Sequence, residues 1–432
     1  MNTVRRRLDS LEAYPSWFII RLLLLTGFSW SLNAAECVLF TFARRKISRS
    51  VRMTTFAVEA LGDGLFIGAV VGAPQFGHIA GAKGRRWALL LAKTLSLLGL
   101  VLSVMARKDY ELIIARILAG IGFGGELPVA TVLVHELTSK SMRGRMVALL
   151  HAFTGVGGVV GVALALSLEP RFGWRTASGR VTEAMQGVER LERAHGTRMI
   201  DDHAMLRDVS TEDLESSVEV VKPPMRDRAT RVWMVWAAME LSGRALGIWT
   251  TMVLLGLAQI AGSVLASMML EEVDPKKLLA RCAASASLIA VVLSHSPWNG
   301  PVVIIGVCMV SALLAAGWSC ALVYAPSNFS TEARGRGVGY AFGFSRLSAV
   351  IGAWLYPRMF NIWRVSVPAI AWMFAALLVA IVLWAVLPFW NGMLQFKEGA
   401  VLRDDRTTGS KVKLDDSESS VLLVRSHNKK EE

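Results

Sequence analysis

Seven polar side chains stand inside stretches that are otherwise apolar: Asn33, Glu36, Arg116, Glu126, Glu240, Arg244 and Arg346. Glu36 follows Asn33 by about one helical turn. Arg116 and Glu126 bracket the glycine run Gly120, Gly122, Gly124 and Gly125. Glu240 and Arg244 are four residues apart, a spacing that permits an ion pair within one helix. An ionisable group in an apolar span is costly, so it faces a cavity or a partner. Such a set could bind an anion or pass a proton. The competing reading is structural pairing, or a long side chain reaching to the helix end. The pathway reading is preferred for Glu36 and Arg116, and mutual neutralisation for Glu240 and Arg244.

Other chemistry is excluded. The chain has no G-x-x-x-x-G-K-[ST], H-E-x-x-H or C-x-x-C, so an ATP-driven pump, a zinc hydrolase and a dithiol redox centre are not expected. Cys37, Cys282, Cys308 and Cys320 are scattered through or beside apolar blocks and read as small buried hydrophobes. The seven histidines are dispersed. His78 and His151, placed near membrane ends, read as structural. No enzyme activity, metal or cofactor is expected.

The elements that must position these groups are long and apolar. Of 432 residues, 53% are hydrophobic and 19% charged, and mean hydropathy is +0.45. A soluble chain carries about 25% charge. Eleven blocks are candidate membrane helices: 18–42, 58–79, 87–106, 111–133, 147–168, 232–249, 251–270, 278–294, 301–323, 338–360 and 367–388. Lipid-embedded backbone must satisfy its own hydrogen bonds, and non-alternating runs of this length mean helices. The expected fold is an all-α polytopic membrane protein. Its divisions are a bundle over 1–168, a polar cytoplasmic loop over 169–231, a second bundle over 232–390 and a disordered tail over 391–432. Within the loop, Val181, Ala184, Met185, Val188 and Leu191 fall at helical spacing, opposite several charges, which suggests a surface helix. Arg5, Arg6 and Arg7 precede a long apolar run without a small-residue cleavage site, so that run reads as a span. In the fifth block Gly155, Gly158 and Gly161 recur every three residues and Gly157 and Gly161 form a G-x-x-x-G, which reads as close helix packing.

The chain repeats internally. Arg143-Gly144-Arg145 and Arg334-Gly335-Arg336 are 191 residues apart, and the same offset carries Arg85-Arg86 onto Lys276-Lys277. Two related halves, with solute bound between them, is a common transporter plan. The net charge of +13 then reports basic loops on the cytoplasmic side rather than nucleic-acid binding. Basic residues cluster on one side in the second half, which puts the central loop and the C-terminus in the cytoplasm. Arg44, Arg45, Lys46, Arg49 and Arg52 run against that rule in the first half. The expected partners are the lipid bilayer, a small organic solute and protons.

These motifs resemble the major facilitator superfamily. Gly77-His-Ile-Ala-Gly81-Ala-Lys-Gly84-Arg85-Arg86 is similar to the superfamily's G-x-x-x-D-x-x-G-R-R loop. The stretch from Arg116 through Glu126 to Pro128, followed by Glu136 and Arg143-Gly144-Arg145, resembles the branch of nicotinate, organic-ion and synaptic-vesicle-like carriers. Ala258-Gln-Ile-Ala-Gly262, and Tyr324-Ala-Pro-Ser327 through Arg334-Gly335, add to the likeness, which covers about residues 17–390. The resemblance implies two six-helix bundles, alternating access and proton coupling. It places Asn33 and Glu36 on a D-x-x-[E/D] motif, and Arg116 on a span-four arginine suited to a carboxylate such as nicotinate. Gly77, Gly81, Gly84, Arg85, Arg86, Glu136, Arg143, Arg145, Arg334 and Arg336 would form the gating loops. The family topology that the resemblance implies puts both termini in the cytoplasm, and the plasma membrane is the default location.

The sequence departs from that family at several points. Asn33 and Gly81 stand where the family has Asp, Ser327 replaces a Glu, and Val273-Asp-Pro-Lys-Lys replaces a G-R-[RK]. Gly173-Trp174-Arg175, expected outside, runs within five residue steps into Gly179-Arg180, expected inside. Five steps reach about 18 Å, short of the roughly 30 Å hydrocarbon core. The expectation is therefore about eleven spans instead of twelve, the sixth having been deleted between Arg175 and Thr176. An odd span number would invert one half. Asn328-Phe-Ser330 is a glycosylation sequon expected to be silent. The alternative to transport is a degenerate carrier with a binding or regulatory role.

Overall fold

A computed structural model describes residues 17–139, 142–201, 225–246, 252–296, 300–330 and 333–386. Twelve helices run through them: α1 (Trp17–Ser50), α2 (Thr55–Ala82), α3 (Arg85–Met105), α4 (Asp109–Leu137), α5 (Arg143–Ser167), α6 (Glu169–Asp201), α7 (Met225–Leu246), α8 (Met252–Met269), α9 (Pro275–His295), α10 (Gly300–Ser327), α11 (Arg334–Asn361) and α12 (Val367–Val386). Eight of these, α1–α5 and α9–α11, are long and apolar enough to cross a membrane, and α8 and α12 contain shorter apolar helices. The candidate span 232–249 falls on α7, except that 247–249 lie outside the described residues, as do 202–224 and 387–432.

The sequence repeat is a repeat of helix starts. Arg85, Asp109 and Arg143 open α3, α4 and α5; Pro275, Gly300 and Arg334 open α9, α10 and α11, each 191 residues or within one of it later. The packing repeats too. α1 packs on α5, α2 on α4, α3 on α4, and α6 on α1 and α3; the same pairs recur six helices later as α7 on α11, α8 on α10, α9 on α10, and α12 on α7 and α9. The halves meet where α2 packs on α11 and α5 on α8. Local devices differ between repeats. α3 starts after Gly84, whose φ of +90° suits glycine. The matching α9 starts from Pro275 at its first position, with the Asp274 carboxylate accepting from the Lys276 amide at 2.8 Å.

Small residues bring backbones together. A Cβ added at Gly120 would lie 2.1 Å from the Leu65 carbonyl oxygen, and one at Gly124 2.5 Å from Ala69 Cα, which fixes α4 against α2. Gly157 meets Ser31 of α1 in the same way, and Gly155 meets Gly256 of α8. Lipid offers little drive for helix association, so such close approaches carry the packing. Gly120→Val is therefore expected to prevent a monodisperse protein from being recovered in detergent, the clash being with backbone and costing about 3 kcal/mol or more. Gly179→Ala, where nothing lies within 4 Å, is the control that should leave size-exclusion profiles unchanged.

The sixth place is occupied by a polar helix. After a non-helical Gly173 (φ 80°, ψ 165°), Arg175 donates to the carbonyls of Val104 (3.2 Å) and Ala106 (2.7 Å) at the end of α3. Further on, Glu189 accepts from Thr94 at 2.7 Å, midway along α3. Trp174, Ala177, Val181 and Thr182 are buried against the bundle, while the Arg180 and Glu183 side chains are each 69% exposed. α6 thus runs back along α3 from its last carbonyls to its middle. Arg85 and Arg334, one from each half, reach the same Glu136, so these two basic loops lie at one end of the bundle. An apolar sixth span is absent from the described residues, but the helical position is filled.

Candidate functional site

A cavity of about 560 Å³ lies between the halves, bounded by α1, α2, α4 and α5 on one side and α7, α8, α10 and α11 on the other. Its walls include the rings of Trp30, Phe40, Phe66, Phe123, Trp318 and Phe342. Charged and polar groups are set among these rings at a few points.

Arg116 of α4 is 3% exposed and donates through Nη1 to the Glu36 carboxylate of α1. Its guanidinium lies over the Phe40 ring, 3.8 Å from the centroid. Across the cavity, Arg346 of α11 donates through Nη1 to Glu240 of α7 at 3.3 Å. It stands 5.7 Å and 5.9 Å from the ring centroids of Phe123 and Phe342. The partner that tertiary structure supplies for Glu240 is thus Arg346; the side chain of Arg244 lies outside the described residues. Three buried N–H donors at the cavity have no hydrogen-bond acceptor among the described residues: Trp30 Nε1, Arg116 Nε and Arg346 Nε.

Asn33 and Glu126 are drawn away from this cavity into the core of the first half. Glu126 is 1% exposed and accepts from Ser29, from Asn33 Nδ2 at 2.7 Å, and lies 3.9 Å from Lys93 Nζ. Lys93, on α3, carries no motif, and sequence spacing does not link it to Glu126; only the α3–α4 crossing does. His151 was also missed. It sits within α5 on the cavity wall, eight residues after the helix begins.

The residues expected to form gating loops converge at one end of the bundle. Glu136 accepts from Arg85 at 3.3 and 3.4 Å and from Arg334 of the other half at 3.2 Å. Arg143 is spent on the carbonyls of His135 (2.7 Å) and Thr138 (3.2 Å), closing the turn between α4 and α5. Arg334 does the equivalent with Pro326 (2.9 Å). Arg145 pairs with Glu271 at 2.9 Å, and His135 meets Ser327 at 3.3 Å, both across the halves. Gly77 packs directly on Gly335. Gly84 and Arg86 border the same loop, Arg86 half-buried. This end is closed.

Gly81 faces Arg336 there: a Cβ at 81 would stand 3.8 and 3.9 Å from its Nε and Nη2. Gly81→Asp is expected to add an ion pair across the closed end and slow turnover about threefold, measured as initial uptake beside thiol labelling of Ala333→Cys; unchanged labelling would show that the pair does not form. Asn328 Nδ2, the atom a glycan would use, instead donates to the Tyr324 carbonyl at 2.5 Å.

The comparisons agree on one family. Its sequence model, described as Sugar (and other) transporter, matches residues 28–180 and 238–392. The chain is 23% identical to the niacin transporter NiaP of Acinetobacter baylyi, over 77% of this chain and 85% of that protein. It is 22% identical to the synaptic vesicle 2-related protein of Xenopus laevis, over 79% and 74%. Its fold is similar to that of the proton:xylose symporter XylE of E. coli, with a TM-score of 0.70, 18% identity, and coverage of 87% of this chain and 97% of that one. NiaP is named as a transporter and XylE as a symporter, and neither name is that of an enzyme.

Proposed function

Because the chain belongs to the Sugar (and other) transporter family, within the major facilitator superfamily, we propose that it is a secondary active carrier of a small organic carboxylate. The observation that carries this reading is the donor set at the cavity. Trp30 Nε1, Arg116 Nε and Arg346 Nε are buried without acceptors among the described residues, and two of them belong to guanidinium groups. Such donors favour a ligand that brings acceptors and negative charge. The surrounding rings favour a flat apolar body, and nicotinate has both features.

Glu36 is the proton carrier in this scheme. With Glu36 ionised, Arg116 is already neutralised, and a solute anion would add uncompensated charge to a low-dielectric site. A proton on Glu36 releases Arg116 to the solute. Proton and anion then travel together with no net charge. Opening of the Glu136 cluster, with closure at the far end, exposes the loaded cavity to the other side. The protein acts in the plasma membrane with its basic loops and both termini in the cytoplasm.

Uptake of labelled nicotinate, benzoate and xylose into proteoliposomes tests this. An imposed inward proton gradient should drive carboxylate uptake with little dependence on membrane potential. Preferential xylose uptake would overturn the carboxylate reading. A second reading, a carrier-like protein with a binding or regulatory role, is favoured by one observation: α6 packs on α1 and α3 yet leaves the charged Arg180 and Glu183 each 69% exposed, a face ill suited to lipid. No uptake of any solute by correctly inserted protein would select it.

A further inference from the structure

α6 and α12 hold matching places in the two halves: α6 packs on α1 and α3, and α12 on α7 and α9. Their outward faces differ in kind. α12 has no charged residue from Val367 to Val386 and turns Trp372, Met373 and Val379 outward, as suits a helix against lipid. α6 turns Thr176, Arg180, Glu183, Gly187 and Arg190 outward. At about 100° per residue these five fall within about a quarter of the helix circumference. Their depth is set by contacts with α3. Arg175 meets its last carbonyls, and Glu189 meets Thr94 near the middle of that 21-residue span. Arg193 joins the same point, donating to Thr94 at 3.2 Å and to Glu189 at 2.5 Å. Arg180 and Glu183 therefore lie between the end and the middle of the span, and Arg190, next in the chain to Glu189, lies at its middle. A charge there is costly in hydrocarbon. The edge of the core is about 15 Å away, farther than an arginine side chain extends.

We propose that the outer face of α6 docks a separate transmembrane helix carrying a carboxylate, which pairs with Arg190. Charge balance selects this occupant. Arg180 is offset by Glu183, with 3.6 Å between Nη1 and Oε2, and Arg193 by Glu189. Arg190 has no hydrogen bond or ion pair among the described side chains, so the outward stripe carries one cation in excess. A second copy of this chain would bring two more outward arginines and one glutamate already engaged, doubling that excess. An acidic helix removes it with a charge-assisted hydrogen bond that no lipid chain can offer. Gly187, where an added Cβ would meet nothing within 4 Å, leaves room for a second backbone to come close beside Arg190. α6 contributes no residue to the wall of the cavity between the halves. The docked helix therefore leaves the solute path free, and the proposal holds whichever solute is carried.

The test uses the tagged full chain, immobilised in mixed lipid–detergent micelles, and a fluorescent leucine-rich transmembrane peptide with one central glutamate. The same peptide with glutamine or lysine at that place is the comparison. The native protein should retain the glutamate peptide about tenfold better than the glutamine peptide, the worth of one charge-assisted pair, and the lysine peptide least. Arg190→Gln, a change at an exposed side chain, should elute normally in size exclusion and bring the glutamate-to-glutamine ratio to about one. Arg190→Lys should keep most of the preference. Arg281→Gln, exposed on α9, should leave it at the native value. A native ratio of one overturns the proposal, as does a preference that survives Arg190→Gln. A preference that falls equally with Arg281→Gln would mean general attraction to a basic protein and also overturns it. Two differently tagged copies that co-purify, and cease to do so with Arg190→Gln, would give the face to a second copy of the chain instead.

Discussion

Arg116→Gln is expected to lower carboxylate uptake by at least about a hundredfold and to lower the melting temperature as well. Two effects are superimposed. Breaking a buried pair strands its partner, at about 3–5 kcal/mol, because Glu36 would keep a carboxylate that is 4% exposed with its cationic partner gone. The uptake loss has a separate source, removal of the guanidinium that faces the solute. The double variant Glu36→Gln with Arg116→Gln separates them. It leaves two neutral amides able to hydrogen-bond, so melting should recover to within a few degrees while uptake stays lost. Glu36→Gln alone should keep solute binding in the purified protein and abolish stimulation by an inward proton gradient. Uptake that survives in the double variant, or gradient stimulation that survives Glu36→Gln, would remove Arg116 and Glu36 from the transport cycle.

The second large effect is expected at Glu136. Its carboxylate joins Arg85 and Arg334 across the closed end, and hydrogen bonds to charged groups are worth about 1.5–3 kcal/mol each. Glu136→Gln should shift the population towards the open basic end by about ten- to a hundredfold. A cysteine at Ala333, a position now fully buried, should then react correspondingly faster with a water-soluble maleimide, and uptake should fall about tenfold. Melting should change less than for Arg116→Gln, because the Glu136 side chain is 17% exposed and water can replace its bonds. Unchanged labelling would mean that Gly77–Gly335 packing, not the ion pairs, holds that end shut.

Much of the architecture was legible in the chain because membrane helices announce themselves. Each candidate block is apolar apart from a few polar side chains, and the basic loops recur at an offset that becomes the spacing of helix starts. The glycine motifs were legible as packing, since a missing Cβ is a property of the residue itself. The sixth helix was not, because residues 174–193 bury one face and leave charges on the other, a pattern that in isolation describes a surface helix. What places it along α1 and α3 is Arg175 meeting the exposed carbonyls that end α3, and Thr94 meeting Glu189.

The sequence by itself determined that this is a membrane-embedded, all-helical protein of two related halves with ionisable groups inside its spans. These follow from composition, run length and repeat offset, which are local or periodic properties. Which charges meet was decided by tertiary structure alone. Glu36 finds Arg116 80 residues away and Glu240 finds Arg346 106 residues away, while Glu126 turns inward to Lys93 and Asn33. A helix presents a different residue every 100° or so of turn, so rotation about its axis settles whether a charge faces cavity, core or lipid. That rotation is set by packing against neighbours distant in the chain, as it is for His151 on the cavity wall between Ser263 and Ser319.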